Sequence, residues 1–300
     1  MTEATAPIDI DHLRQWVGRS IETTDVATAS KSAGLRATLD HTEDPWGGVY
    51  FPLGHWVLFN PDAAQSELAV DGHPHKGGFL PPVPLPRRMW AGSSVTFHAP
   101  IPVGSEVREV QTIKDVKHKS GRSGELVFLT VDHEVFVGDT LAVTDVQTIV
   151  YREAAEKTRA TEQSAAERAA FEPADTSGWD YSYVVRPDEP LLLRYSALTF
   201  NAHRIHYDRD YCLEEEGYPG LVVHGPLSAT LMVEAFMRNH PGVPLKTFSF
   251  SARTPVFDHT PVAYVGRVKK DESGAEVPGT YEVGALDPSG TVCLTGEITV

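Results

Sequence analysis

The chain has 300 residues, of which 41% are hydrophobic and 22% charged, which are ordinary values for a folded globular protein. Its formal net charge of −15 argues against a nucleic-acid partner and against binding to an anionic membrane surface. The two cysteines, Cys212 and Cys293, lack the spacing of a metal site, and no run of about 18 apolar residues occurs. A reduced, cytoplasmic setting is therefore expected.

Alternating apolar and polar residues predict three antiparallel strands in the first half of the chain. They cover residues 106–118, 125–136 and 140–151, and glycine-containing turns separate them. Upstream, residues 81–90 contain four prolines, which must shorten or break any helix at that position. Two aromatic, glycine- and histidine-containing loops, residues 46–56 and His73–His75, are expected to shape a pocket.

A segment rich in alanine and glutamate, residues 153–178, has few large apolar side chains. Such a composition predicts a partly helical linker between two halves. The halves themselves show a weak repeat, because residues 95–107 are echoed by residues 248–262 at an offset of 153. We therefore divide the chain into residues 1–152, a linker, and residues 179–300.

The second half begins with the segment that carries most of the chemistry, residues 195–225. Asp208 is predicted to cap a helix over residues 209–216, and Gly217 is predicted to end it. A second helix is predicted over residues 226–238, with its start at His224-Gly225-Pro226. Free backbone N–H groups at such a start can hold an oxyanion.

The helix predicted over residues 226–238 has almost no polar face, so we expect a sheet to wrap around it. Three alternating segments follow it, at residues 262–270, 280–287 and 291–300. The second half thus repeats the strand pattern of the first half, which predicts an α+β fold.

The segment TFNAHRIHYD, with the later His224-Gly225 turn, resembles the signature of the MaoC-like hydratases and dehydratases. The His of that signature falls on His206, whereas its Asp is replaced by Asn201 and its Pro by Arg204. The segment looks most like a subgroup that includes the mesaconyl-CoA (methylfumaryl-CoA) hydratases and the hydroxyacyl-thioester dehydratases. The resemblance implies a double hotdog, in which two antiparallel sheets, each wrapped around a central helix, pack as a pseudo-dimer.

In this resemblance the catalytic residues are His206, Asn201 and Gly225. Histidine suits a general base because its pKa lies near working pH. Asn201 cannot take a proton, so it would orient the water or His206 by hydrogen bonding. The amide of Gly225 would stabilise an enolate oxygen. The first half has lost its helix-forming sequence, and we expect it to cradle substrate rather than to catalyse.

The remaining candidates are substrate-binding residues. Cations are informative in an acidic chain, since they can contact a substrate carboxylate or a nucleotide phosphate. A surface role, or for Arg204 a salt bridge to a neighbouring carboxylate, stays open. His203, His206 and His224 are loosely spaced for a metal, but no well-placed carboxylate or cysteine completes a set, so no metal is expected. The substrate-binding candidates are Arg204, Arg194, Arg87, Arg88, His203 and His224.

The predicted function is a hydro-lyase that adds water to a 2-enoyl thioester, or removes it from a 3-hydroxyacyl thioester. The acyl group expected from the resemblance is small, branched and dicarboxylic, such as mesaconyl-CoA. A general (R)-3-hydroxyacyl-thioester dehydratase, a hotdog thioesterase and a non-catalytic acyl-CoA-binding protein are the alternatives. The expected partner is an acyl-CoA or acyl-carrier thioester, and no cofactor is required. A homodimer is compatible with this organisation, and the sequence does not fix the oligomeric state.

Overall fold

The structure is a computed structural model, which describes residues 7–121, 124–154 and 160–300. It confirms the α+β class. Part of the predicted turn at residues 120–124 and part of the predicted linker lie outside the described residues. In the rest of that linker, one helix, α3, covers Ala165–Ala169.

One antiparallel sheet of ten strands runs through the part of the chain that the structure describes. Its order is β1-β3-β4-β5-β2-β7-β10-β9-β8-β6, so the strands of the second half reverse the order of the first half. The six strands predicted by alternation are all confirmed. The strands are β1 Ser20–Val26, β2 Arg87–Phe97, β3 Glu106–Gly121, β4 Gly124–Val137, β5 Thr140–Arg152, β6 Tyr181–Val185, β7 Thr247–Ala252, β8 Val262–Lys270, β9 Glu276–Leu286 and β10 Val292–Thr299.

The two halves meet where β2 pairs with β7, in a register that places Gly92 opposite Ser251. A Cβ atom on Gly92 would lie 2.4 Å from the carbonyl oxygen of Phe250, so only glycine permits this approach. The expected two sheets are therefore joined edge to edge into one sheet. Joining them removes an exposed strand edge from each half, which an isolated half would have to leave unpaired.

The helix predicted over residues 226–238 is α6, Gly225–Asn239. Ten consecutive residues from Leu227 to Phe236 are buried in it, and it contacts β2, β6, β8 and β9, which confirms that the sheet wraps around this helix. The remaining α-helices are α1 Ile10–Leu13, α2 Ala29–Thr38, α4 Glu189–Thr199 and α5 Arg209–Tyr211. Among the described residues no helix has the length and apolar character needed to cross a membrane.

The first half differs from the expectation that each half wraps a central helix. Residues 81–86 form no helix, and the chain enters β2 directly after these prolines. The buried turn Gly54–Val57 contributes Trp56 and Val57 to the same core as α6. The longest helix described in this half, α2, was not predicted; it stays partly exposed and packs against α4. A short turn thus takes the place that a long helix occupies in the second half.

Charged side chains also connect the halves. Glu234 of α6 is only 1% exposed, and its carboxylate binds the ring of His41 at 2.6 Å and Arg238 at 2.6 Å. Arg238 in turn donates to the carbonyl oxygen of Leu39 at 2.8 Å. A buried carboxylate is costly unless it is paired, so the position of α6 depends on residues of the first half.

Candidate active site

The candidate site lies between the end of α4 and the start of α6. Phe200 ends α4 in the left-handed conformation, with φ of 48°, and the chain then turns into a single 3-10 turn, Arg204–His206. Asp208 caps the next helix by accepting from the N–H of Tyr211 at 3.0 Å, as predicted. That helix, α5, continues as a π-helix, Cys212–Glu216, which ends at Gly217 with φ of 70°.

His206 is buried and has one ring nitrogen committed to the backbone. Its Nδ1 donates to the carbonyl oxygen of Val222 at 2.8 Å, and the N–H of Val222 donates to the carbonyl of Ile205 at 2.9 Å. Burial lowers the pKa of His206 to about 4, against the opposite effect of the hydrogen bond to Val222. The ring is therefore neutral at pH 7, and its Nε2 carries a lone pair that can accept a proton.

His224 supports His206 from behind. The two rings stack with centroids 3.5 Å apart, and Nε2 of His224 bonds to the hydroxyl of Ser196 at 2.8 Å. Burial holds the pKa of His224 well below its usual range, and the neighbouring His206 and His203 add to this effect. His224 is thus a neutral ring that lines the site, and its stacking fixes the plane of the His206 ring.

Asn201 has its amide oxygen committed to the loop. Its Oδ1 accepts from the backbone N–H of His203 at 2.9 Å, which forms a local side-chain turn. The amide NH2 group of Asn201 is the part that can act on a water molecule. The predicted role toward water stays a prediction, whereas the contact with His203 shows that Asn201 also shapes the loop.

Gly225 is the first residue of α6. The first N–H groups of a helix have no carbonyl partner inside it, and Pro226 contributes no N–H group. The carbonyl oxygen of Trp90 lies 3.6 Å from where a Cβ of Gly225 would be, so β2 covers this helix start. The predicted role of the Gly225 amide toward an oxyanion stays a prediction, and the first half covers the place where that oxyanion would lie.

His203 is in contact with both His206 and a histidine of the first half. Its ring lies edge-on to His206 at 5.5 Å between centroids, and at 4.1 Å from His73. Burial lowers the pKa of His203 to about 2, and the neighbouring rings contribute to this shift. Four histidines, His73, His203, His206 and His224, therefore form one continuous row.

Asp71 is a site residue that the sequence analysis missed. Its Oδ2 accepts from Nδ1 of His73 at 3.1 Å, and its backbone carbonyl accepts from the N–H of Arg204 at 2.9 Å. Burial alone would raise the pKa of Asp71, but the hydrogen bond and the charge of His73 hold it well below the usual range. The signal available was the sequence Asp71-Gly72-His73, a carboxylate and an imidazole on either side of a turn residue.

The predicted cations occupy different environments. Arg204 pairs with Asp208 at 2.7 Å, which is the salt bridge that the sequence left open, and Arg87 pairs with Glu216 at 2.9 Å. Arg194 is exposed on α4. Arg88 is half-buried and has no carboxylate partner among the described residues.

Arg88 lies beside the histidine row. Burial lowers the pKa of His73 most, against its hydrogen bond to Asp71, and the positive charge of Arg88 lowers it further. Arg88 also faces Tyr151 across the β2–β5 register. Its charge opposes the rise that burial causes in the pKa of Tyr151. A guanidinium that holds no carboxylate of the described residues can bind an anionic group of a ligand at this end of the row.

Asp71, His73 and His203 place their ligand-type atoms within 4.8 Å of one another, which is close enough to hold a metal ion. However, the carboxylate already accepts a hydrogen bond from His73, and the positive charge of Arg88 acts on both imidazoles. We therefore interpret the group as a hydrogen-bonded carboxylate and imidazole pair rather than as a metal centre.

A surface groove next to the row has a different character. Three carboxylates and one guanidinium line it, so it suits the phosphates of a nucleotide poorly. Its lining residues are Val70, Arg204, Asp210, Tyr211, Glu214 and Glu215. The aromatic loop at residues 46–56 instead faces the core, where Trp56 packs against Trp90 with ring centroids 5.0 Å apart.

Comparison with known proteins agrees with the resemblance. The family model of hydroxyacyl-thioester dehydratase type 2 matches residues 51–258, a span that includes the whole histidine row. A mesaconyl-C(4)-CoA hydratase of Chloroflexus aurantiacus is 42% identical over 286 residues, which cover 94% of this chain and 97% of that protein.

Solved structures confirm the double hotdog fold. A MaoC-like dehydratase superposes with a TM-score of 0.68 at 15% identity, covering 96% of this chain and 99% of its own. A Mycobacterium tuberculosis protein described as having a double hotdog fold gives a TM-score of 0.55 at 13% identity, covering 94% and 95% of the two chains. At such low identities these structures show the fold alone.

Proposed function

The chain belongs to the hydroxyacyl-thioester dehydratase type 2 family, and we propose that it hydrates a 2-enoyl-CoA that carries a second carboxylate. The hydro-lyase class follows from the family match and from the hydratase that is 42% identical over nearly the whole chain. The second carboxylate is the finer part of the proposal. It rests on the mesaconyl group in the name of that relative and on the cation beside the histidine row.

The observation that carries the mechanism is the fixed tautomer of His206. Because Nδ1 donates to Val222, Nε2 takes a proton from water, and the water oxygen forms a bond to C3 of the enoyl group. The electron pair of the double bond moves toward the thioester, where the amide of Gly225 stabilises the enolate oxygen. The proton on Nε2 then returns to C2. Dehydration is the same path in reverse, and it needs no cofactor.

The structure favours Arg88 over the other arginines for the second carboxylate. Arg204 and Arg87 already hold carboxylates of this chain, and Arg194 is exposed on α4. The charge of Arg88 acts on His73 and His203, next to the proposed base. We therefore propose Arg88 as the cation that binds the second carboxylate of the substrate.

Comparing mesaconyl-CoA with crotonyl-CoA tests this proposal. A charge-assisted hydrogen bond to the second carboxylate is worth about 2 kcal/mol, so the wild type should prefer mesaconyl-CoA roughly thirtyfold in kcat/KM. Arg88→Gln should lose most of this preference, whereas the matched control Arg204→Gln should keep it. Equal constants for both substrates, or a preference for crotonyl-CoA, would favour a general 3-hydroxyacyl-thioester dehydratase, the activity that the family name describes.

The cellular setting and the oligomeric state of the protein are two further questions. We propose a reduced, cytoplasmic setting, since Cys212 and Cys293 are both free and buried. The homodimer that is compatible with the sequence stays a prediction, which sedimentation at micromolar protein concentration would test. A mass of 32.8 kDa in solution would instead identify a monomer built from two halves.

A further inference from the structure

The second half of the chain lacks the carboxylate that its own motif would carry. Asn201 stands at the Asp position of the signature, so no acidic side chain there can balance a proton taken by His206. The imidazolium formed during hydration would be poorly tolerated, because burial already lowers the pKa of His206 to about 4. A nearby anion would lower this cost.

The first half places a carboxylate against the same histidines. Asp71 holds Nδ1 of His73 at 3.1 Å, and the ring of His73 lies 4.1 Å from His203. The ring of His203 lies 5.5 Å from His206 in turn. A continuous path of imidazoles thus leads from the proposed base to Asp71.

The position of Asp71 is fixed by backbone contacts between the halves. Its carbonyl oxygen accepts from the N–H of Arg204 at 2.9 Å, and Arg204 donates to the carbonyl of Val70 at 3.1 Å. Gly72 packs so closely that a Cβ would lie 1.9 Å from the carbonyl oxygen of Ala202. The loop of Asp71 is therefore built onto the loop of His206.

We propose that Asp71 supplies, from the first half, the negative charge that the motif of the second half has lost. When His206 Nε2 takes the proton from water, the new positive charge is stabilised by Asp71 through His203 and His73. The same proton is delivered to C2 when the enolate collapses, so the step consumes water and the enoyl thioester and leaves no charge on the protein. Asp71 is a positioning residue, because it acts through the imidazoles rather than on the substrate.

The inference rests on the proposed hydration, and it requires first that the wild type hydrates mesaconyl-CoA or crotonyl-CoA. Failure of both substrates would be a failure of the proposed function and not of the role of Asp71. The preferred substrate of the two serves for all variants.

The test exchanges the carboxylate between the halves. Asp71→Asn should lower kcat about ten- to a hundredfold with little change in KM, since each tenfold corresponds to one pKa unit of imidazolium stability. It should also move the acidic limb of kcat/KM to lower pH, because the protonated form of His206 would then lack the anion proposed to stabilise it. Adding Asn201→Asp to this variant should restore most of kcat and return the limb toward the wild-type position.

A matched control separates these effects from simple loss of an ion pair. Asp25 has a side chain 26% exposed, against 21% for Asp71, and it pairs with Lys31 away from the histidine row. Asp25→Asn should leave kcat and the pH profile unchanged. Thermal unfolding of all variants shows whether the fold is intact.

Three results would overturn the proposal. One is an Asp71→Asn variant with wild-type kcat. Another is an Asp71→Asn variant that loses activity and does not regain it when Asn201→Asp is added, although the double variant is as thermally stable as the control Asp25→Asn. The third is loss of wild-type activity on dialysis against EDTA and its recovery with zinc, which would assign Asp71, His73 and His203 to a metal ion instead.

Discussion

Gly72 offers a direct test of how the first half positions the catalytic loop. Its φ of +89° is a conformation that costs an L-residue roughly 1–2 kcal/mol. In Gly72→Ala, the new Cβ would also lie 1.9 Å from the carbonyl oxygen of Ala202, so the two loops must separate by about 1 Å to reach even 3.0 Å. Overpacking of this kind costs about 1–3 kcal/mol beyond the backbone strain.

The rate of enoyl-CoA hydration should fall even in the fraction of the variant that stays folded. A displacement of about 1 Å at a catalytic group can cost roughly a hundredfold in rate, so kcat/KM for enoyl-CoA hydration should drop by about that factor. Gly18→Ala is the matched control, because Gly18 has φ of +87° but no atom lies within 4 Å of the position that its Cβ would take. Urea unfolding and steady-state kinetics of both variants measure the difference. Equal stability and equal activity in the two variants would refute the contact.

Other predictions concern Asn201, His206 and the dependence of the second half on the first. Asn201→Ala should lower kcat and change KM much less, because it removes the side chain that accepts a hydrogen bond from the N–H of His203. A change confined to KM would contradict this. Protonation of His206, with a pKa of about 4 in the fold and 6.5 when unfolded, should cost about 3 kcal/mol of stability as pH falls between these values. This contribution to the free energy of unfolding is fully present above pH 6.5. Urea unfolding of His206→Gln should therefore show a smaller loss of stability on acidification than the wild type. Residues 176–300 alone should be insoluble or inactive, because β7 loses β2 and Glu234 loses His41; a soluble, active fragment would contradict this.

Much of the fold follows from local sequence signals. Apolar and polar residues alternate clearly in the strands on either side of the glycine turns, and α6 has almost no polar face. Both the strands and the buried helix could therefore be predicted. The helix α2 could not, because only Leu35 and Thr38 are buried in it and its pattern has no strong apolar face. The fusion of the sheets at β2 and β7 depends on the absent side chain of Gly92, which no periodicity marks.

The candidate site likewise contains residues whose proximity could be predicted from the sequence and residues whose proximity could not. The histidine of the motif and the start of α6 lie within 20 residues of one another along the chain, so their proximity could be predicted. Asp71 and His73 are more than a hundred residues earlier, and their place follows from contacts between the two halves. The environments of the arginines were equally inaccessible, because a partner such as Glu216 for Arg87 depends on tertiary packing.

The role of His206 as the base that hydrates an enoyl thioester can be tested in a single assay. The absorbance of the enoyl thioester and the release of free thiol are followed together, in the wild type and in His206→Ala. We expect the wild type to consume the enoyl absorbance without releasing thiol, and the variant to lose about a hundred- to ten-thousandfold of this rate while it stays folded. Thiol release by the wild type, or a near-native rate in His206→Ala, would show that the assignment is wrong.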